Sequence, residues 1–138
     1  MAEASFFHQH PAPPAPVTLG WELIDEWPDE GRIEIAFKPN ERMLNARGVV
    51  QGGFVAAMLD DTMGPALVSM TGGREMPVSL DLNVSFLAPV MPARVVGRGR
   101  VVGRTKSTAF LEAELFDGEG KLLARATSTA RIVPGPVA

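Results

Sequence analysis

The chain is predicted to fold as an α+β domain in which an antiparallel sheet of about five to six strands wraps around one long central helix. Three observations carry this. A single helical stretch opens at Gly52-Gly53 and runs to about Met70, apolar on nearly every face, as a buried helix is. Two strand-like stretches precede it, and after it the residues alternate with period two or are rich in valine. At 138 residues and 46% hydrophobic content the chain is the size of one domain with one core, and no internal repeat divides it.

The elements follow in order. Residues 1–19 carry Pro11, Pro13, Pro14 and Pro16 and are expected to form a flexible leader. A single domain is expected over 20–133. Trp21 to Trp27 is a modest strand candidate, and Pro28-Asp29-Glu30-Gly31 supplies a turn. Arg32 to Lys38 alternates cleanly up to Pro39 and reads as the second strand of a hairpin. A loop from Asn40 to Val50 leads into the helix. Pro65 is expected to bend or weaken its last turns, and Thr71-Gly72-Gly73 ends it. Val78, Leu80, Leu82, Val84 and Phe86 then fall on one strand face, with Ser79, Asp81, Asn83 and Ser85 on the other, until Pro89 and Pro92 stop the strand. Arg94 to Gly103, Ser107 to Phe116 and Lys121 to Val133 complete the sheet, the last two joined at Asp117-Gly118-Glu119-Gly120. Residues 134–138, opening Pro134-Gly135-Pro136, read as a loose tail.

Composition removes several classes of function. No apolar run approaches the roughly 18 residues needed to span a membrane, and the N-terminus lacks the basic-then-apolar order of a secretory signal. Without cysteine there is no disulfide, no thiolate nucleophile and no cysteine zinc site, which fits a cytoplasmic protein. A net charge of −3 without a dense basic cluster argues against a nucleic-acid partner. The only histidines, His8 and His10, lie in the leader. A domain without histidine holds no Ser-His-Asp triad, no histidine base and no histidine metal site, so no metal is expected. Tyrosine is absent too, and acid–base work falls to Asp, Glu or Lys.

The helix carries the chemistry. Gly52-Gly53 at its mouth lets another molecule come close to N–H groups that have no partner within the helix. Two carboxylates, Asp60 and Asp61, sit in its apolar middle, where a charge needs a partner or a task. Donors at a helix N-terminus beside a carboxylate suit chemistry on a carbonyl. Asp60 follows Gly52 by eight residues, roughly 12 Å along the axis. One carbonyl cannot touch the Gly52 N–H while its attacking atom touches Asp60 of the same helix. If both serve one centre, the carboxylate comes from a second copy, and a two-fold dimer with antiparallel helices builds two such sites. Asp61 lies ~100° further round and cannot face the same site; a structural hydrogen bond at an interface or to the sheet is the simpler reading.

These residues resemble a known family. The helix signature and strand order are similar to those of the hotdog-fold acyl-CoA thioesterases of the 4-hydroxybenzoyl-CoA thioesterase superfamily, closest to the PaaI-like branch, over roughly residues 20–133. That branch shows Asn, five residues, His-Gly-Gly, then an acidic residue seven positions after the second glycine, often followed by Gly-x-Ala. Asn45, Gly52, Gly53, Asp60 and Gly64-Pro65-Ala66 occupy those places, and Val78 to Pro89 looks like the family's strand after the helix.

The resemblance implies hydrolysis of a small or medium acyl-CoA, aromatic acyl groups among the candidates, to free acid and CoA, by a homodimer or dimer of dimers, with no cofactor beyond the CoA of the substrate. It implies that the Gly52 N–H polarises the thioester carbonyl, with Gly53 beside it, and that the partner's Asp60 acts as general base on water or as nucleophile. Asn45 would position the water or the carboxylate, and Ser79 would hydrogen-bond near the attacking water. Met63 is a candidate to line the acyl pocket, although core filling accounts for it as well; Arg104 and Lys106 are candidates for the CoA phosphates, although a solvated turn accounts for them equally. One residue departs from the pattern: the histidine of His-Gly-Gly is Gln51, whose amide can shape the loop but cannot carry a proton at neutral pH. A non-catalytic acyl-CoA-binding module, for which Gln51 is the main argument, and a purely structural dimer domain therefore stand as alternatives.

Overall fold

The computed structural model describes residues 5–138. Its elements are α1 (Phe6–Gln9), α2 (Pro14–Thr18), β1 (Glu22–Trp27), β2 (Arg32–Phe37), α3 (Gly52–Thr71), β3 (Glu75–Ser79), β4 (Asn83–Phe86), β5 (Val95–Arg104), β6 (Thr108–Phe116) and β7 (Leu122–Pro134). The strands form one seven-stranded sheet in the order β1-β2-β5-β6-β7-β3, with β4 also on β7. Every pairing is antiparallel. The sheet wraps around α3, as the sequence predicts, and the hotdog architecture is explicit.

The core lies between α3 and the concave face of the sheet. Met58, Leu59, Met63 and Leu67 of the helix meet inward residues such as Ile33, Ile35, Phe37, Leu111 and Leu115, all fully buried or nearly so. The opposite sheet face carries a row of alternating charge. Glu34, Arg98, Glu114 and Arg125 lie in one register across β2, β5, β6 and β7. Period-two patterning sorts these two faces most clearly along β5 and β6. What sets the depth of the helix is glycine. Gly97 and Gly99 face Thr62, and a Cβ on Gly99 would stand 2.5 Å from the Thr62 carbonyl oxygen. The β5 run Val95-Val96-Gly97-Arg98-Gly99 is thus a strand with a groove cut for the helix.

Pro65 does not break α3, which stays helical from Gly52 to Thr71. A proline has no N–H for the carbonyl four residues earlier, here Asp61. The Trp21 indole N–H fills that vacancy, donating to the Asp61 carbonyl oxygen at 3.0 Å. A long-range side-chain donor therefore replaces the lost helical bond. Gly72, with φ of 61°, caps the helix in the left-handed conformation.

Three expectations are corrected. The leader is not loose from Ser5 onward. It forms α1 and α2, Phe7 packs against Trp21 with ring centroids 5.3 Å apart, and Leu19 is buried; residues 1–4 lie outside the described residues. The two histidines belong to this packed leader, with His10 stacked on Phe6. The C-terminal tail is docked too: the Gly135 and Val137 N–H groups donate to the Arg74 and Gly73 carbonyls. The strand expected from Val78 to Phe86 starts earlier and is cut in two, which raises the count to seven. Asp81 makes the cut. Its carboxylate accepts from the Thr129 N–H at 2.7 Å and its carbonyl accepts from the Ser128 hydroxyl at 2.8 Å. An aspartate that bonds the neighbouring backbone competes with the ladder, which an alternating pattern cannot reveal.

Candidate active site

Both carboxylates are half-buried and lie among the more accessible residues of α3, with Gly53, Phe54, Ala57 and Gly64. Beside them runs the free edge of the sheet, β3 and β4, whose other side pairs only with β7. The structure brings Asp60 and Ser79 together: the Ser79 hydroxyl donates to Asp60 Oδ1 at 3.1 Å. Asp60 is half-buried rather than buried, and this bond lies in an exposed setting.

The helix mouth is eight residues away. Gly52 and Gly53 occupy the first two helical positions, and the first internal bonds run from Phe54 and Val55 to the Gln51 carbonyl at 2.9 and 3.2 Å. The Gly52 and Gly53 N–H groups thus have no helical acceptor. At Gly53 a Cβ would meet nothing within 4 Å, so packing does not require that glycine. At Gly52 a Cβ would lie 3.2 Å from the Phe86 ring of β4. Gly52 therefore lets an aromatic of the edge strand lie against the helix mouth. Asn45, Val49, Gly52, Phe86 and Pro89 line one cleft there.

Asn45 builds the loop that leads into the helix. Its Oδ1 accepts from the Arg47 and Val49 N–H groups at 2.9 and 3.4 Å. With the amide oxygen committed, its NH₂ is the part left to offer a ligand. Gln51 is the residue before the helix. Its backbone N–H donates to the Met43 carbonyl at 2.8 Å, and its exposed side chain makes no cap. Asn45, Gln51, Gly52 and Gly53 thus form one group, Asp60 and Ser79 another, and within one chain α3 holds them apart.

Two expected substrate contacts change. Met63 is fully buried within the core and lines no surface cleft among the described residues. Arg104 is engaged by Glu75 through two hydrogen bonds, of 2.6 and 3.1 Å. This pair holds the Glu75 carboxyl below the usual carboxylate range. Lys106 remains exposed on the turn between β5 and β6.

Sequence reasoning missed a cavity of about 240 Å³ between the leader and α3, lined among others by Phe6, Phe7, Trp21, Asp61, Val68 and Pro77. The signal was present as Phe6-Phe7, two large aromatics in a segment otherwise read as solvated. Burial pushes the Asp61 carboxyl up to about 6, and the neighbouring Asp60 charge adds to this. In the unfolded chain such a group ionises near pH 4, so folding loses stability as pH rises from about 4 to 6 and the loss persists above. The full shift amounts to ~3 kcal/mol, which partial exposure reduces to about 1 kcal/mol. Asp61→Asn is therefore expected to gain about 1 kcal/mol in urea unfolding at pH 7.5 and nothing near pH 3. A gain of equal size at both pH values would mean the carboxyl is not strained in the fold.

The comparisons with known proteins agree on one family. Residues 47–124 match the model of the thioesterase superfamily. A phenylacetic acid degradation-related protein of Ralstonia eutropha superposes with a TM-score of 0.81 at 33% identity, over 91% of this chain and 95% of that one. Human acyl-coenzyme A thioesterase 13 is 28% identical over 104 residues, 74% of each chain. The PaaI protein of E. coli, at 19% identity, shares the fold with a TM-score of 0.75 over 85% of this chain and 86% of its own.

Proposed function

The chain belongs to the thioesterase superfamily and is a thioester hydrolase, and from that premise we propose that it hydrolyses a small or medium acyl-CoA at a site shared between two copies. The observation that carries the shared site is the separation on α3. Helix-mouth donors and a positioned carboxylate lie eight residues apart on one unbroken helix, roughly 12 Å along its axis. The surface between them supports the same reading. Along the free edge Val78, Leu80 and Phe86 are 49%, 65% and 58% exposed, and Phe54 is exposed on the helix flank beside them. An apolar row on an unpaired strand edge invites a second copy, which would pair the edge and cover the flank of α3.

In that dimer the Gly52 N–H, at the positive end of the helix dipole, donates to the thioester oxygen and stabilises the oxyanion. Asp60 of the partner subunit activates water or attacks the carbonyl itself, held by the Ser79 hydroxyl. Asn45 offers its amide N–H beside the helix mouth, and Lys106, exposed on the turn between β5 and β6, is a cation available to the CoA phosphates. Gln51 takes no proton; it supplies the extended backbone that starts the helix, with φ of −62° and ψ of 142°. No helix among the described residues is long and apolar enough to cross a membrane.

Thiol release from acyl-CoAs, from acetyl to octanoyl and phenylacetyl, tests the reading. Turnover is expected for at least one, with specific activity falling as dilution separates the copies. Binding of CoA without any thiol release would favour the non-catalytic module.

A further inference from the structure

We propose that the cavity walled by the leader is the subsite for the apolar end of the acyl group, and that the leader therefore sets acyl specificity; this rests on the thioesterase reading above. Two element spacings place it. Asp60 meets Ser79, and one helical turn further on, Gly64 stands against Pro77, where a Cβ would lie 3.3 Å from the proline ring. Four residues of helix and two of strand both advance about 6–7 Å. α3 and β3 thus run side by side from the carboxylate to the cavity, whose lining includes Gly64 and Pro77. A thioester carbonyl at Asp60 has its acyl arm aimed along this seam.

The walls fix the chemistry. Phe6, Phe7 and Trp21 give flat aromatic surfaces, and Pro65, Val68 and Pro77 close the helix and strand sides. A cavity of about 150 Å³ holds a benzene ring. The space here, about 240 Å³, suits a phenyl ring with two or three further carbons, or an aliphatic chain of that size. One polar group from α3 faces it, Asp61, whose backbone carbonyl is taken by Trp21. His10 lies at the leader side, stacked on Phe6. A charged or strongly hydrated acyl end finds little to bond there.

The test fills and enlarges the cavity in the full chain. Ala12 is exposed and lines it from the leader. Ala12→Trp is expected to lower the ratio of kcat/KM for octanoyl-CoA over acetyl-CoA at least tenfold. Met76→Ala, which widens the β3 wall, is expected to shift the ratio toward longer chains. Ratios equal to wild type in both variants overturn the subsite. Binding separates this from failure of the hydrolytic reading. In Trp27→Phe protein, Trp21 is the sole indole, and its emission is expected to change with octanoyl-CoA and not with acetyl-CoA, with or without turnover. If Trp21 emission ignores octanoyl-CoA that is shown to bind, the acyl end lies elsewhere and the proposal falls.

Discussion

Asp60→Asn is expected to lower thioester hydrolysis by roughly 10²- to 10⁴-fold while leaving the fold and the association of copies intact. The substitution removes the charge and the proton acceptor but keeps the shape. The side-chain bond that Asp60 accepts from the Ser79 hydroxyl survives, because the amide oxygen also accepts. The carboxylate is half-buried, so no unpaired buried group is created. Loss of activity with an unchanged melting temperature is thus the signature of a chemical role. Ser79→Ala serves as a milder companion, since it removes only the hydroxyl that orients Asp60; a tenfold fall in kcat is expected. Full activity in Asp60→Asn would move the chemistry to another group.

Gly99→Ala is expected to cost about 3 kcal/mol, or roughly 10 °C in melting temperature. The added Cβ would stand 2.5 Å from the Thr62 carbonyl oxygen and 3.0 Å from its methyl carbon. The first of these is helix backbone and cannot swing aside, so α3 must lift from the sheet. Such a shift loosens the packing of Met58, Leu59 and Met63, all fully buried. Gly53→Ala is the control, because a Cβ there meets nothing within 4 Å; a change under about 1 kcal/mol is expected. Equal stability of the two variants would mean that the helix does not rest on the β5 glycines.

Much of this architecture is legible in the sequence because its physics is local and periodic. The apolar run from Phe54 to Leu59, the alternation from Arg32 to Phe37 and the glycine at the end of α3 each declare their element. The spacing of Gly52 and Asp60 is equally readable, since helix geometry alone converts it to a distance. What stays hidden depends on partners distant in the chain. Pro65 predicts a weakened helix until Trp21, forty-four residues earlier in the sequence, donates to the carbonyl it orphans. Asp81 looks like one more polar position until its side chain takes the Thr129 N–H and splits the strand. The leader reads as loose by its prolines, yet two short helices bury Leu19 and seat Phe7 on Trp21. Arg104 reads as a free cation until Glu75, on another strand, claims it.

The shared site is tested most directly by mixing two inactive chains. Gly52→Pro removes the proposed oxyanion donor. The helix backbone accepts it, because proline suits the first helical position and Gln51 already has the extended backbone that a residue before proline requires; the new ring requires the far end of the Phe86 side chain, 3.2 Å from the added Cβ, to move aside, so retained fold and association are checked first. Gly52→Pro and Asp60→Asn homodimers should both be inactive. Co-expressed in equal amounts, half the dimers are mixed, and each mixed dimer holds one site with an intact Gly52 from one chain and an intact Asp60 from the other. Recovery of about one quarter of wild-type activity is predicted. No recovery from demonstrably mixed dimers would place both groups of each site in a single chain and contradict the account.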